Sequence, residues 1–370
     1  MISDLNFIYS SSDSLFPRFN KSIFRALTEK LNAGEAQSTI GFEIDSMAEP
    51  EASTGAPQSP PPTQNAWKDP VETLTLKDGR TLGYARYGAQ ADPKTLPVFY
   101  LNGTPGCHLE ALLVDQVAER LGIPVISTDR PGFGRSTFHV GRSLLSWPQD
   151  IIELADHLDI PKFGVLGLSG GGPYALACLH SIPRERLVAA TVVSGIYPVS
   201  LGTAGMMWQT RLLLWVASYS TWLVEKLIAL TMGPVARSEI KDLIKVMEVQ
   251  AAALPQPAID KECMKQVGKD EILIGAYLGS MKEALRPGAK GAAWEFGLFS
   301  TDWGFKLEDL DSSRLTLWHG GLDVNVPVGM PDKASKLLPN ATYQRMDVDG
   351  HVSVIMRHTE DILSNLISRF

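Results

Sequence analysis

The sequence predicts an α/β fold, a doubly wound and mostly parallel sheet of about eight strands with an inserted helical cap. Three observations predict it. Short apolar runs without alternation recur at Val98 to Leu101, Val125 to Thr128, Phe163 to Leu168, Leu187 to Ser194 and Leu315 to Trp318, as expected of strands buried on both faces. Helical stretches such as Glu110 to Leu121 and Trp147 to Leu158 lie between them, so strand and helix alternate. The stretch from Ser194 to Leu315 is far longer than the roughly 2–6 residues usual between a strand and a helix, and its apolar content points to helices laid over the sheet.

The sheet begins before these runs. From Val71 the chain reads V-E-T-L-T-L, then K-D-G, then R-T-L-G-Y-A-R-Y-G, two alternating strands joined by a turn. Thr342 to Met346 supplies a last strand. The organisation expected is a low-complexity extension at 1–68, a core made of 69–198 and 306–370, and a cap at 199–305. No internal repeat is visible. The extension holds a Pro/Ser/Ala-rich tract from Pro50 to Gln64 that cannot bury enough apolar surface to order itself. Ahead of it, Leu15 to Leu31 combines Phe16, Ile23, Phe24 and Leu27 with Arg18, Lys21, Arg25 and Lys30. This is an amphipathic pattern whose interspersed acids argue against an organelle address, and Met47 offers an alternative start.

Bulk properties narrow the function. A chain of 370 residues with 44% hydrophobic content can bury a large core, and its net charge of −7 offers nothing to nucleic acid or an anionic membrane. The cysteines, Cys107, Cys178 and Cys263, fit neither a zinc nor a disulfide spacing, so a reducing, cytoplasmic interior is expected. Asp4 and Asp13 interrupt any apolar signal-peptide core. Trp208 to Leu230 is the most apolar part of the insertion, but Arg211, Glu225 and Lys226 break it below the length a bilayer demands.

Residues 167–172 read G-L-S-G-G-G, directly after the run Phe163 to Leu168 and before the helical stretch Pro173 to His180. Glycines cost conformational entropy, so a cluster in an ordered place needs a reason. A phosphate loop would carry a lysine, and here Pro173-Tyr174 follows. A serine in G-x-S-x-G at a strand-to-helix turn is instead the setting of a nucleophile elbow, with Ser169 as nucleophile.

Serine is a weak nucleophile without a base, and in this topology an acid and then a histidine follow it. His108, His139 and His157 precede Ser169, and His180 lies in the following helix. His351, in D-V-D-G-H-V, is expected on a loop reaching over the sheet. His358 is expected on a solvated helix face, and His319 in the turn that presents the acid. That acid is Asp323 in W-H-G-G-L-D, with Asp302 as the rival; Asp347 and Asp349 are too close to His351 in sequence. The oxyanion of acyl transfer needs donors, each contributing about 2.7–4 kcal/mol. The Gly170 N–H supplies one, and the loop L-N-G-T-P-G supplies the other through Thr104. D-R-P-G-F-G-R-S, at 129–136, reads as architecture.

Taken in order, N-G-T-P-G, D-R-P-G-F-G-R-S, G-L-S-G-G-G, W-H-G-G-L-D and D-G-H make residues from about Val71 to Phe370 resemble the α/β-hydrolase superfamily. The resemblance implies Ser169 as nucleophile, Asp323 as acid, His351 as base, and Thr104 with Gly170 as oxyanion hole. Asn102 stands where the family commonly has histidine, which leaves the bracing of that loop open. A serine at the elbow argues against epoxide hydrolases and haloalkane dehalogenases, which use aspartate. The expected function is hydrolysis of a small, apolar ester-like substrate through an acyl-enzyme, with no cofactor and no metal. An aminopeptidase resembling the proline iminopeptidases, with Glu225, Glu239 or Glu248 holding the amine, is an alternative. A carbon–carbon bond hydrolase or a non-catalytic ligand receptor are others. Substrate choice is expected to lie in the cap, around Leu212 to Trp215, Trp222, Leu223, Met206 and Met207, with Trp215 or Trp222 lining the pocket.

Overall fold

The computed structural model describes residues 71–92 and 95–369. The tail readings at 1–68, Met47 included, lie outside the described residues.

The strands are β1 (Glu72–Thr75), β2 (Thr81–Gly88), β3 (Val98–Leu101), β4 (Pro124–Thr128), β5 (Phe163–Leu168), β6 (Leu187–Val193), β7 (Leu315–Gly320) and β8 (Thr342–Met346). They form one sheet in the order β1-β2-β4-β3-β5-β6-β7-β8. β1 and β2 are antiparallel to their neighbours, and every pairing from β4 to β8 is parallel. The apolar runs β3, β4, β5 and β7 are buried along their whole length, which explains their lack of alternation. Exchange of β3 and β4 in the order places the crossover from β3 to β4 on one face of the sheet and those from β4 to β5 and from β5 to β6 on the other.

The crossover helices are α1 (Leu112–Arg120), α2 (Trp147–His157) and α3 (Gly172–Ser181). The first begins later than the sequence pattern implies, because His108–Ala111 forms a separate 3₁₀ turn. Between β6 and β7 lie α4 (Trp208–Ala217), α5 (Thr221–Thr231), α6 (Gly233–Arg237), α7 (Ile240–Ala253), α8 (Ala258–Val267) and α9 (Glu271–Ile274). A π-helix at Gly275–Gly279, then α10 (Ser280–Ala284) and α11 (Lys290–Ser300), complete the insertion. The chain closes with α12 (Gly329–Leu337) and α13 (His351–Ile367). No described helix is long and apolar enough to cross a membrane.

The core is two-sided. Phe99, Phe163, Trp147 and Tyr174 pack on one face of the sheet, and Tyr100, Val114, Leu166 and Leu363 on the other. Two glycines let β5 turn into α3. A Cβ on Gly167 would lie 2.5 Å from the Gly171 carbonyl oxygen, and one on Gly171 would lie 2.0 Å from that of Leu101. Backbone cannot yield as a flexible side chain does, so these contacts require glycine. Gly171→Ala is therefore expected to lower the free energy of unfolding by about 1–3 kcal/mol or more, read from urea denaturation. An unchanged midpoint would show that the close approach is not a constraint.

Candidate active site

Ser169 opens the turn between β5 and α3 with φ of 51°, a left-handed conformation that is uncommon for a residue with a side chain. Strain of this kind persists only where surrounding packing dictates it, and here the glycine contacts do so. It lifts Oγ out of the strand line. His351 Nε2 lies 3.0 Å from that Oγ, and His351 Nδ1 lies 2.7 Å from Asp323 Oδ2. The three residues come from three separate elements.

Each partner is held. Asp323 Oδ1 accepts the N–H groups of Asn325 and Val326, both at 2.8 Å, which curls the loop after β7 around the carboxylate. His319 is buried, lies 3.3 Å from Asp323 Oδ2 through Nε2 and donates to the Val326 carbonyl at 2.8 Å, so it shapes that turn as expected. Burial opposes the charge on Asp323, but His351 and His319 hold its carboxyl well below the usual carboxylate range. For His351, burial opposes the imidazolium and the Asp323 carboxylate favours it; the balance raises its pKa above the ordinary histidine value.

Two expectations about histidines change. His351 is the first residue of α13 rather than a loop residue, with Gly350 as the position before the helix. His358 is not a solvated surface residue: it is partly buried, bonds Asp349 through Nε2 at 3.0 Å and stacks on Trp318. The rival acid Asp302 caps its own turn, accepting the Gly304 N–H at 2.6 Å. Asp347 pairs with Arg345 and Asp349 with Arg357.

The loop after β3 meets the turn at Ser169. A Cβ built on Gly170 would sit 3.2 Å from the Thr104 backbone nitrogen, so the backbone segments that carry the Gly170 and Thr104 N–H groups lie against each other. Neither donates to an acceptor among the described residues, whereas the Gly103 N–H is taken by Glu110 at 2.9 and 3.0 Å. The bracing left open by Asn102 comes from a buried charge cluster. Arg130 donates to the Asn102 carbonyl, to Asn102 Oδ1 at 2.9 Å, to the Gly103 carbonyl at 2.9 Å and to Thr104 Oγ1 at 3.0 Å. Glu295 of α11 accepts from Arg130 Nε at 2.6 Å, Thr104 Oγ1 at 2.6 Å and the Tyr174 hydroxyl at 2.8 Å, with Arg142 alongside. Burial works against the Glu295 charge, yet Arg130 and Arg142 keep its pKa lowered.

A cavity of about 360 Å³ opens onto Ser169, Thr104 and His351. Its walls are mostly apolar and come largely from the inserted helices: Leu243, Val246 and Met247 of α7, Met264 and Val267 of α8, and Leu278 of the π-helix. Five methionines, at 207, 247, 264, 281 and 356, face it. Trp215 and Trp222 do not. Trp222 is 60% exposed, and Trp215 packs on Tyr219 in the separate apolar cluster of α4, α5 and α11. Of the apolar residues singled out in the insertion, Met207 alone lines the cavity.

Sequence reasoning missed the polar residues of this wall. Glu110 is on the 3₁₀ turn, and burial pushes its carboxyl up to about 7 against the opposing Gly103 N–H. Tyr277 projects from the π-helix, a distortion common at functional sites, and burial raises its phenol, so it stays a donor. Asp260 of α8 also lines the cavity. The available signals, single acids within helical stretches, do not separate these residues from solvated ones. Glu225, Glu239 and Glu248 do not line it; Glu239 pairs with Lys241.

Cys107, His108 and Asp129 bring their ligand-type atoms within 4.8 Å of one another, a grouping the cysteine spacing did not disclose. Their chemistry is that of a brace. Asp129 Oδ1 accepts both the His108 N–H and its ring Nδ1 at 2.8 Å, Oδ2 accepts the Arg135 N–H, and burial pushes the Cys107 thiol up, away from the thiolate a metal requires. The architectural reading of 129–136 agrees with these bonds.

The sequence pattern of the alpha/beta hydrolase family matches residues 98–362. The chain belongs to the alpha/beta hydrolase family. Within it, the chain is 33% identical over 130 residues to the uncharacterized hydrolase YcgS of Bacillus subtilis (strain 168), a match spanning 34% of this chain and 42% of that protein. Its fold is shared with an alpha/beta hydrolase fold protein from Nakamurella multipartita, at a TM-score of 0.55 and 18% identity, covering 81% of this chain and 99% of the other. It is also shared with an esterase from Exiguobacterium antarcticum, at a TM-score of 0.52 and 14% identity, covering 80% and 98%. The loop-bracing charges of this family member make a stability prediction. Glu295→Ala leaves two buried guanidinium groups without their carboxylate and is expected to cost about 3–5 kcal/mol in denaturant unfolding. Exposed Glu308→Ala, the control, should cost nothing measurable. Equal midpoints for the two variants would remove the cluster from the account.

Proposed function

We propose that the chain is a serine hydrolase that cleaves carboxylic esters bearing an apolar group through an acyl-enzyme. The observation that carries this reading is the hydrogen-bonded series Ser169–His351–Asp323, at 3.0 and 2.7 Å, opening onto an apolar cavity. In the proposed reaction His351 Nε2 takes the Ser169 proton as Oγ attacks the ester carbonyl. Asp323 keeps the Nδ1 proton in place and stabilises the imidazolium that forms. The Thr104 and Gly170 N–H groups receive the oxyanion, and His351 returns its proton to the departing alcohol. A water molecule then repeats the sequence on the acyl-enzyme.

Glu225, Glu239 and Glu248, named for holding a free amine, do not line the cavity, and the acids that do, Glu110 and Asp260, accept backbone N–H groups of Gly103, His351 and Ser353, which favours the ester reading over that alternative. The inserted helices act as the cap in this reading and set substrate choice, because the reacting groups touch only atoms common to all esters.

Ser169→Ala is expected to abolish turnover, by about a millionfold in kcat, and to end labelling by a fluorophosphonate probe. Labelled wild-type protein that hydrolyses β-diketones and no esters would redirect the reading to carbon–carbon cleavage, and unlabelled wild-type protein would point to a ligand receptor. For specificity, each methylene buried in the cavity contributes about 0.8 kcal/mol, so kcat/KM should rise along a series of p-nitrophenyl esters until the cavity is full. Met264→Ala enlarges the wall and should move that optimum to a longer chain, whereas Trp222→Ala should leave it in place. The opposite pattern would relocate the pocket to α5.

A further inference from the structure

The inserted helices bring one buried carboxylate onto the backbone of the proposed base. Asp260 is 1% exposed. Its Oδ2 accepts the His351 N–H at 2.7 Å, and its Oδ1 accepts the Ser353 N–H at 2.9 Å. Both donors belong to the first turn of α13, where N–H groups have no acceptor within their own helix. A helix ordinarily draws such an acceptor from the residue just before it, and here that residue is Gly350. The acceptor comes instead from a residue 91 positions away. The fit is close: a Cβ on Gly350 would lie 2.3 Å from Asp260 Oδ2. On the other side of the same residue, the Ser194 hydroxyl donates to the His351 carbonyl at 3.0 Å.

We propose that Asp260 is a positioning residue, which fixes His351 within reach of Ser169 and makes the placement of the base depend on the inserted helices. The proposal rests on the serine-hydrolase reading. Ser169 Oγ and Asp323 grip the imidazole at its two ring nitrogens, but neither fixes the backbone that carries it. Asp260 and Ser194 do, one at the N–H and one at the carbonyl. Removing Asp260 frees the first turn of α13, and with it the aim of Nε2.

The carboxylate also acts through charge. The groups facing the imidazole are Asp323 from the loop after β7, Glu110 from the 3₁₀ turn and Asp260 from α8, with Lys261 beside it on the same cavity wall. A carboxylate near the ring favours the imidazolium, so loss of the Asp260 charge lowers the pKa of His351. The active form of the base is neutral, so the acid limb of kcat/KM then moves to lower pH. A residue that served only to stabilise the helix would change the melting temperature and leave that limb alone.

The test compares Asp260→Asn and Asp260→Glu in the full chain. It uses kcat and KM for p-nitrophenyl butyrate across pH, and ¹⁵N NMR titration of the His351 ring. Asp260→Asn is expected to lower kcat by about a hundredfold, the effect of a misplacement of about 1 Å, with a smaller change in KM. Its acid limb and its His351 titration should both move to lower pH, while Asp260→Glu, which keeps the charge, holds them near the parent values. In the unsubstituted protein the His351 and Ser353 amides should exchange slowly with solvent, unlike ordinary first-turn amides. A folded Asp260→Asn protein with unchanged kcat and unchanged His351 titration would overturn the proposal. So would rapid exchange of both amides in the parent, a measurement that needs no variant. If no ester is turned over and Ser169 takes no probe, the serine-hydrolase reading has failed, and the His351 titration still reports separately on Asp260.

Discussion

The structure depends on a convergence of backbone at one turn. The end of β5, the start of α3 and the loop after β3 meet so closely that a methyl group on Gly167 or Gly171 would overlap a carbonyl oxygen. This crowding holds Ser169 at a positive φ and sends its hydroxyl out of the sheet, towards His351. It also brings the loop at Thr104 against the backbone of Gly170, the residue after the serine. Every other part of the site is arranged about this point: one loop curls around Asp323, one helix begins at His351, and one insertion closes the cavity above.

Two kinds of charge hold the arrangement. Around Asp323 and His351 the charges are few and directional, and they bias both groups towards their charged forms. Around Arg130, Glu295 and Arg142 they are buried and structural, and they set the shape of the loop after β3. Buried ion pairs of this second kind add little stability over an apolar core of the same volume, and they are costly only when broken. Their value here is geometric. Arg130 spans three consecutive residues of the loop, and Glu295, delivered by α11, ties that loop to the insertion. Asp260 does the same for α13, so the insertion touches both sides of the site through carboxylates.

Much of this is legible in the sequence. The strands were readable because burial on both faces demands unbroken apolar runs, and the turn at Ser169 was readable because only glycine fits the contacts there. Ser169, Asp323 and His351 could be named because a strand-to-helix turn, a chain order and the positions of seven histidines leave few combinations. What was not legible has a common cause. Glu110, Asp260 and Glu295 are single acids in helical stretches, and their roles arise from partners between 7 and 191 positions away. Nothing local marks such a residue. The aromatics of α4 and α5 misled for the converse reason: apolar side chains at helical spacing say that a face is covered, and Trp215 is covered by its own cluster rather than by a ligand. The site of His351 at the first position of α13 was hidden by Gly350, which reads as loop but precedes a helix capped from elsewhere.

The central claim is that Ser169 forms a covalent acyl intermediate. The most direct measurement is the intact mass of the protein quenched in acid during turnover of a p-nitrophenyl ester, followed by peptide mapping. The account predicts a species heavier by one acyl group, with the added mass on the peptide containing Ser169, and no such species in Ser169→Ala. Turnover of the ester with no acylated protein at any quench time, or with the acyl group on another residue, would contradict it.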